Sequence, residues 1–349
     1  EIEKFVRREY WSLVATLLTP AGEAFEARLI GADGKKISRL DIGNPHDAEQ
    51  FRKDLDTARF SVVSVEAKPA RRNPFAPFTT STLQQEASRK LGMAPATTMR
   101  VAQKLYEGID IGGETVGLIT YMRTGGVDSA PEAVAQIRKY IGGAYQSRYL
   151  PERPRAYTTK AKNAQEAHEA IRPTDIFRNP AQMRAHLESD AFRLYELIWK
   201  RTVASQMESA ELERTTVDIL AAVGARRLDL RATGQVVRFD GFLTLYTEDK
   251  DDEGDDEDGR RLPAMKAGDD LKKKSIAATR HFTEPPPRYT EASLVKRMEE
   301  LGIGRPSTYA STLAVLRERE YVRIEKKRLA PEDKGRIVTA FLESFFARY

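Results

Sequence analysis

Hydrophobic and polar residues alternate with a period of two over several short stretches, in an early group and a late group that are separated by about 150 residues. Because alternate side chains of a strand face opposite sides, this pattern predicts β-strands with one buried face. We expect the early and late groups to pair in one β-rich domain, with the residues between them inserted. The predicted strands are Ser12–Leu17, Ala27–Ile30, Phe60–Val65, Arg214–Leu220, Arg227–Ala232, Gln235–Phe239 and Ser275–His281.

Apolar residues spaced three and four positions apart predict amphipathic helices, most of them inside the inserted part. The charged stretch Glu1–Trp11 also has a helix-like pattern, and the Pro- and Arg-rich stretch Pro69–Pro77 is typical of a linker. Thr80 or Ser81 is the expected N-cap of the next helix. The predicted helices are Ala48–Ala58, Ser81–Leu91, Ala96–Glu107, Ala130–Tyr145, Gln165–Ile171 and Asp190–Glu208.

Two helix-turn-helix patterns lie 210 residues apart. Gly92 separates the helices of the first, and Gly302 separates predicted helices over Glu291–Leu301 and Ser307–Glu320 in the second. Such a unit can bind DNA, but it is equally common in plain packing. The pattern ends in a predicted β-hairpin wing over Tyr321–Ile324 and Lys327–Leu329 and a helix over Gly335–Phe346.

Composition places the chain among globular proteins and excludes some chemistry. Its 349 residues suffice for two or three domains, with 40% hydrophobic and 31% charged residues. The absence of cysteine excludes disulfides and cysteine-bound zinc within this sequence. No apolar run reaches the roughly 18–20 residues that a membrane helix needs, and no signal-peptide pattern is present. We therefore expect a cytoplasmic protein.

The charge is unevenly distributed along the chain. The net charge is +5, but residues 248–258 contain nine acids and one lysine, which leaves +13 on the rest. A body this basic suits a polyanion such as nucleic acid, although a basic solvated surface is the simpler explanation. The acidic stretch 247–259 is predicted to be a disordered, solvated loop.

Candidate chemistry is concentrated in Gly117–Thr124. An apolar run, Val116–Ile119, predicts a short buried strand that carries Tyr121 and Arg123 into a Gly-rich turn. A phenol beside a guanidinium suits nucleophilic attack on a phosphodiester, because arginine can neutralise the phosphate oxygens. An isolated Tyr-x-Arg would more often be a surface tyrosine beside a solvated arginine.

The rest of the chain changes that balance. Gly117–Thr124 resembles the active-site segment of type IA DNA topoisomerases. Four more stretches resemble the same family in the same order, which is far more specific than one short motif. They are Pro77–Gln85, Ala164–Pro173, Arg238–Phe242 and Gly302–Ser311.

The resemblance implies an α+β multidomain fold, in which a β-rich arch carries an inserted, mainly helical nucleophile domain and is followed by a winged-helix-like domain. It also implies an enzyme that breaks one DNA strand through a 5′-phosphotyrosine, passes another strand and relaxes negative supercoils without ATP. The expected divisions are 1–79 (arch), 80–210 (helical), 211–284 (arch) and 285–349 (winged-helix-like).

The resemblance also implies the roles of individual residues. Tyr121 is the expected nucleophile, and Arg123 is the expected stabiliser of phosphate charge. His168 is expected to contact single-stranded DNA near the cleavage site, from a helix turn that places Arg172 on the same face. The other expected DNA-contacting residues are Gln165, Lys160, Thr82, Gln84, Arg305, Ser307 and Thr308.

Two features depart from the family. Gly125 stands where the family usually has an acidic residue, and Asp128 is the nearest replacement. The family's N-terminal Toprim domain, which binds Mg²⁺, and its C-terminal DNA-binding repeats are not recognisable. Asp54 and Asp56 have the right spacing but the wrong context. We therefore expect a fragment that holds no metal itself, binds single-stranded DNA as a monomer, and needs the Toprim domain for catalysis.

Two alternatives belong to other classes. A non-enzymatic nucleic-acid-binding module would use the two helix-turn-helix units and would not depend on Tyr121. A tyrosine recombinase would also form a phosphotyrosine, but it needs a His-x-x-Arg motif before a tyrosine near its C-terminus. Here Tyr121 precedes His168, and Arg172 follows that histidine by four positions.

Overall fold

The computed structural model describes residues 1–158, 168–249 and 261–346. Along the chain its elements are β1 (Glu9–Leu18), β2 (Ala24–Ala32), β3 (Lys35–Lys36), α1 (Pro45–Thr57), β4 (Arg59–Arg72), α2 (Thr80–Glu86), α3 (Pro95–Glu107), β5 (Ile109–Ile111), β6 (Glu114–Val116), α4 (Pro131–Ala144), α5 (Pro180–Met183), α6 (Ser189–Ser205), β7 (Ala210–Val223), β8 (Arg226–Phe239), β9 (Asp270–Phe282), α7 (Glu291–Leu301), α8 (Tyr309–Glu318), β10 (Val322–Glu325), β11 (Arg328–Pro331) and α9 (Asp333–Phe345).

These elements form two compact units, each built from separate parts of the chain. Unit 1 holds the large antiparallel sheet, and unit 2 holds most of the helices, so the predicted α+β class is confirmed. The four-part division and the roles given to its parts remain predictions. Unit 1 comprises Glu1–Arg72, Glu211–Phe239 and the described part of Gly254–Pro287, and unit 2 comprises Asn73–Ala210 and the described parts of Asp240–Glu253 and Arg288–Tyr349.

The sheet of unit 1 is built from two separate parts of the chain, residues 9–72 and residues 210–282. Its strand order is β1-β9-β4-β7-β8-β2-β3, and β1 also pairs with β2, so the sheet closes on itself. Tyr10 lies opposite His281, Val14 opposite Arg28, and Arg28 opposite Arg231. The predicted pairing of early with late strands is therefore confirmed.

The core of unit 1 follows from the alternation along its strands. Leu13, Ala15 and Leu17 of β1 are buried, and helix α1 adds Leu55 to the same cluster. Asn44 caps α1 by accepting a hydrogen bond from the Asp47 N–H. One amphipathic helix thus helps to cover a sheet face made by side chains two positions apart.

Two predictions in unit 1 are wrong in detail. Residues 1–8 contain no helix, and β1 begins at Glu9 because Tyr10 and Trp11 pair with β9. The predicted linker Pro69–Pro77 is shorter, since β4 continues to Arg72. In both places, pairing with a distant strand overrides the local sequence pattern.

Unit 2 contains the two predicted helix-turn-helix units, and the first helices of both begin in the same way. Thr79 and Thr82 exchange hydrogen bonds in a capping box, as do Thr290 and Ser293. The N-cap of α2 is therefore Thr79 rather than Thr80 or Ser81, the two predicted positions. The glycines Gly92 and Gly302 close the first helices in nearly the same left-handed conformation, with φ of 67° and 72°.

The two helix-turn-helix units differ by one inserted residue in their first helix. Thirteen positions separate Thr79 from Gly92, whereas twelve separate Thr290 from Gly302. The first helix absorbs the extra residue in a π-helical turn over Ala87–Leu91. Helix α2 packs on α7, and α3 packs on α8. The first helices of the two helix-turn-helix units therefore contact each other, and so do their second helices.

A buried arginine organises another part of unit 2. The Arg201 side chain is only 4% exposed, and its Nη1 donates to Glu248 Oε1 at 2.5 Å. The guanidinium also lies 4.8 Å from the ring centre of Phe78. Tyr246 joins the group by donating to Glu86 Oε2 at 2.8 Å, and burial raises the pKa of Glu86. The network ties helix α6 to α2 and to the residues after β8.

Candidate active site

The segment Gly117–Thr124 is held along its length by backbone hydrogen bonds. The N–H of Thr120 donates to Arg172 O at 2.9 Å, and that of Thr174 donates to Leu118 O at 3.0 Å. Strand β6 ends at Val116, so the predicted strand over Val116–Ile119 is only partly formed. Ile119 instead makes an isolated antiparallel bridge with Pro173. The segment before the tyrosine therefore has a defined path.

Thr80 fixes the backbone on both sides of Arg123. Its Oγ1 lies 2.7 Å from Met122 O and accepts a 2.8 Å hydrogen bond from the Thr124 N–H. Its own N–H donates to Thr124 O at 2.9 Å. Because Thr80 is fully buried, these bonds are shielded from water. The sequence had indicated this residue only as a possible helix cap.

Tyr121 lies between two other aromatic rings. Its ring centre is 5.5 Å from that of Tyr106 and 5.1 Å from that of His168. The phenol is half-buried, whereas Arg123 is exposed. Within the described ranges, neither the Tyr121 hydroxyl nor the Arg123 guanidinium has a hydrogen-bond or ion-pair partner. Both polar groups can therefore receive a ligand.

His168 reaches Tyr121 by a different route from the predicted one. Residues 168–171 are not helical, and Ile171 makes a bridge with Phe78. The helix predicted over Gln165–Ile171 is therefore wrong for its described part. The expected shared helix face of His168 and Arg172 is wrong for the same reason, because pairing with residues near Phe78 extends the backbone.

Arg172 is already engaged within the protein. It forms a 2.8 Å ion pair with Glu169, and its Nη1 donates to Pro173 O at 3.0 Å. Partial burial opposes ionisation of Glu169, but hydrogen bonds from Arg172 and from the Ala130 N–H hold its pKa below the ordinary value. The arginine thus orders the chain beside Tyr121, and its contact with DNA stays a prediction.

The other residues predicted to contact DNA, apart from those in the second helix-turn-helix unit, differ in their placement. Lys160 and Gln165 lie outside the described residues. Thr82 is half-buried, and its hydroxyl accepts a hydrogen bond from the Thr79 N–H in the capping box. Gln84 is fully buried, and neither polar atom of its amide has a partner in the part of the chain that the structure describes. Helix α2 turns the Gln84 side chain inward in this structure, and its contact with DNA stays a prediction.

Arg305, Ser307 and Thr308 come together at one exposed helix end. The N–H of Arg305 donates to Thr308 Oγ1 at 2.8 Å, and helix α8 begins at Tyr309. All three side chains are exposed. This grouping is the predicted one, and a helix N-terminus with nearby cationic and hydroxyl groups suits a phosphate. Their binding to DNA stays a prediction.

The structure adds a buried contact that the sequence did not indicate. The hydroxyl of Ser81 donates to Glu299 Oε2 at 2.7 Å and accepts from Gln85 Nε2 at 3.0 Å. Burial raises the pKa of Glu299. This contact joins helices α2 and α7 through polar groups, and no local sequence pattern could have predicted a partner 218 positions away.

The described residues offer neither a cluster of metal ligands nor a membrane-spanning helix. Across residues 1–158, 168–249 and 261–346, no group of three or more His, Cys, Asp or Glu side chains is placed to hold a metal ion. Asp54 pairs with Arg226, and Asp56 pairs with Lys273 at 2.7 Å. None of the helices in those ranges is both long and apolar enough to cross a bilayer.

Comparisons with known proteins agree in their outcome. The sequence model of a family described as DNA topoisomerase matches residues 1–349. The chain is 54% identical over 353 residues to DNA topoisomerase 1 of Zymomonas mobilis and 50% identical over 349 residues to that of Rickettsia typhi. It covers 28% and 44% of those two proteins, and they cover all of it.

A solved structure gives the same result for the fold. Full-length topoisomerase I from Thermotoga maritima is similar with a TM-score of 0.79 and 31% identity, over 99% of this chain and 53% of that one. The chain thus spans only part of the length of these relatives. On the family match over all of its residues and on these identities, it belongs to the bacterial type IA DNA topoisomerases, a family of isomerases.

Proposed function

We propose that this chain carries the nucleophile and much of the single-stranded DNA-binding surface of a type IA strand-passage enzyme. The observation that best supports this is the Tyr121–Arg123 segment. Its backbone is fixed by Thr80 and by residues near Arg172, while the phenol and guanidinium have no partners among the described residues. A reactive pair held ready in this way reduces the entropy lost on binding a phosphodiester.

The proposed reaction exchanges one phosphoester for another. The Tyr121 oxygen attacks the phosphorus, the bond from phosphorus to the 3′ oxygen breaks, and the 5′ phosphate becomes joined to the tyrosine. The phenol loses its proton to solvent, and the departing 3′ oxygen gains one. The 3′ hydroxyl later attacks the phosphotyrosine and restores the strand. Arg123 would stabilise the charge on the phosphoryl oxygens in both directions.

His168 and the exposed end of helix α8 would hold the strand. His168 is exposed beside Tyr121, so it can contact a nucleotide next to the cleaved phosphate. Arg305 and Ser307 offer a cation and a hydroxyl at a helix N-terminus. In this proposal the bound DNA is single-stranded, and passage of a second strand through the break relaxes negative supercoils.

The described residues do not fit the Mg²⁺ that the family implies. Carboxylates are the usual protein ligands of Mg²⁺, and no suitable cluster exists in the described ranges. Asp54 and Asp56 are each paired with a basic side chain. We therefore propose that metal binding belongs to a Toprim domain supplied by another part of the protein.

A non-enzymatic DNA-binding module is the second candidate. The exposed Arg305 and Ser307 favour it, because phosphate binding there would need neither Tyr121 nor a cleaved strand. This candidate predicts salt-dependent binding that is unchanged in Tyr121→Phe.

The deciding experiment supplies a Toprim domain as a separate chain. Both chains are incubated with end-labelled single-stranded DNA and Mg²⁺, then denatured and examined for DNA attached to protein. We expect an adduct that requires both chains and is lost in Tyr121→Phe. Tyr106→Phe is a matched control, since it removes a neighbouring hydroxyl from the same aromatic group.

Binding without an adduct would leave one further question, which Gly125→Asp answers. The described residues with positive φ do not include Gly125, so its backbone accepts an L-residue. An acid here could orient Arg123. If Gly125→Asp restores the adduct, the glycine limits cleavage. If the unmodified chain and the Gly125→Asp variant both bind DNA but neither forms an adduct, the proposed reaction is wrong. The binding-module candidate then replaces it.

A further inference from the structure

A basic cleft lies on unit 1 where β1 and β2 diverge. The two strands pair only between Val14–Leu18 and Ala24–Arg28. Beyond that point residues after β3 fill the gap, as the Ile37 N–H donates to Ile30 O at 2.8 Å. The resulting cleft has a volume of about 660 Å³, and none of its residues takes part in the Tyr121 site.

The charges that line this basic cleft are all of one sign. Lys36 and Arg39 line it together with Arg28 and His281, and no described lining residue is acidic. Elsewhere on the same sheet several arginines are paired, for example Arg231 with Asp218 at 2.7 Å. Within the described ranges, by contrast, Lys36 and Arg39 have no carboxylate partner.

A stack of planar groups forms one wall of the basic cleft. The Arg39 guanidinium lies 4.8 Å from the ring centre of Tyr10, and its Nη2 donates to the Tyr10 hydroxyl at 2.6 Å. The rings of Tyr10 and His281 are 5.0 Å apart and inclined by 18°. Ser12 Oγ fixes His281 through a 2.8 Å hydrogen bond to Nε2.

The combination is more specific than a basic surface. Phosphates require cations without competing acids, and unpaired bases bind by stacking on aromatic or guanidinium planes. The bases of a duplex are already stacked and would not use this wall. The cleft volume suits a short single-stranded segment rather than a helix.

We infer that the basic cleft binds a short segment of single-stranded nucleic acid, with Lys36 and Arg39 on its phosphates and a base against the half-buried His281 ring, which packs on the buried ring of Tyr10. This site would hold a strand on the sheet of unit 1. It goes beyond the cleavage proposed at Tyr121 and does not depend on it.

Histidine NMR can test this inference and the active-site proposal separately. The chain has four histidines, of which His281 lies in the basic cleft and His168 lies beside Tyr121. The full chain is labelled in its imidazole rings and titrated with an oligothymidylate. Signals are assigned with His281→Gln and His168→Gln. We expect the His281 signals to shift in a saturable, salt-sensitive manner.

Adjacent lysines supply a matched pair of variants. Lys36→Glu should weaken binding at His281 at least about threefold. The slope of log affinity against log salt concentration should become shallower by about 0.7 for each lost phosphate contact. Lys35→Glu changes the same charge on a neighbour that does not line the cleft, and should leave binding at His281 nearly unchanged. Since both lysines are exposed, folding should survive either change.

Three results would overturn the inference. The first is an unchanged His281 signal at a concentration that saturates DNA binding elsewhere. The second is equal weakening by Lys35→Glu and Lys36→Glu, which would indicate only a general charge effect. The third is an equal shift by tripolyphosphate, which has phosphates but no base. A shift of His168 alone would support DNA binding beside Tyr121 while rejecting the cleft.

Discussion

The hydroxyl of Ser81 lies 2.7 Å from Oε2 of Glu299, although the two residues are 218 positions apart. The bond links helix α2 to helix α7 in the part of unit 2 where the two helix-turn-helix units meet. Burial raises the pKa of Glu299, so ionisation of this carboxyl is less favourable in the folded protein than in the unfolded chain.

Glu299→Gln should remove a pH-dependent loss of stability. Because the pKa of Glu299 is raised in the folded protein, protonation stabilises the fold at pH values below its ordinary pKa of 4.5. This stabilisation is lost as the pH rises through the folded-state pKa. The amide cannot ionise but still accepts from Ser81. We therefore expect the variant to unfold at higher urea concentration than the unmodified protein at about pH 8, with little difference below the ordinary value.

The control for this comparison is Glu318→Gln, which makes the same charge change on an exposed side chain. It should alter the urea midpoint equally at the two pH values. If Glu299→Gln behaves like this control, the buried carboxyl does not determine the pH dependence.

Gln84→Leu and Gln85→Leu should have opposite effects on the free energy of unfolding. The Gln84 amide is buried without a partner in the described chain, so replacing it with an apolar group should stabilise by about 1–2 kcal/mol. The Gln85 amide donates to Ser81 Oγ, so its loss should cost about 1 kcal/mol. Urea unfolding measures both, and destabilisation by Gln84→Leu would show that its amide is satisfied in solution.

Thr80→Val should loosen the segment that carries Tyr121. The substitution keeps the shape but leaves the Thr124 N–H without its acceptor in a buried place, at a cost of about 1–3 kcal/mol. Hydrogen exchange at the Thr124 amide should accelerate with it. Thr115→Val, on the exposed strand β6, should change neither quantity. Unchanged exchange at Thr124 would argue against the clamp.

Arg201→Met should be among the most destabilising single changes in unit 2. It removes the cation that pairs with Glu248 and stacks near Phe78, and the expected loss is about 3 kcal/mol. Arg297→Met breaks an exposed pair with Glu300 and should cost less than about 1 kcal/mol. Equal urea midpoints for the two variants would contradict this ranking.

The sequence predicted the parts of the fold that depend on local periodicity. The strand around Leu13 and Leu17 was recognisable because the buried positions alternate, and α1 was recognisable by its helical spacing. The helix predicted at Glu1–Trp11 failed, because pairing between Tyr10 and His281 leaves no trace in the local pattern.

The candidate site was predictable to a different extent. The resemblance singled out Tyr121 and His168, whose rings are neighbours. The Thr80 clamp could not be predicted, since a hydroxyl that binds the backbone 42 and 44 positions away has no sequence period. The π-helical turn was not predicted either, because the extra residue before Gly92 becomes evident only when the N-caps Thr79 and Thr290 are known from the structure.

The like-with-like packing of α2 on α7 and of α3 on α8 has a thermodynamic consequence. The two helix-turn-helix units meet like the halves of a homodimer, but one polypeptide carries both. Separation of the two helix-turn-helix units is therefore an intramolecular equilibrium. It depends on the effective concentration of one unit near the other and not on the protein concentration. An interface too weak to hold two free molecules together can still remain mostly closed here and open reversibly.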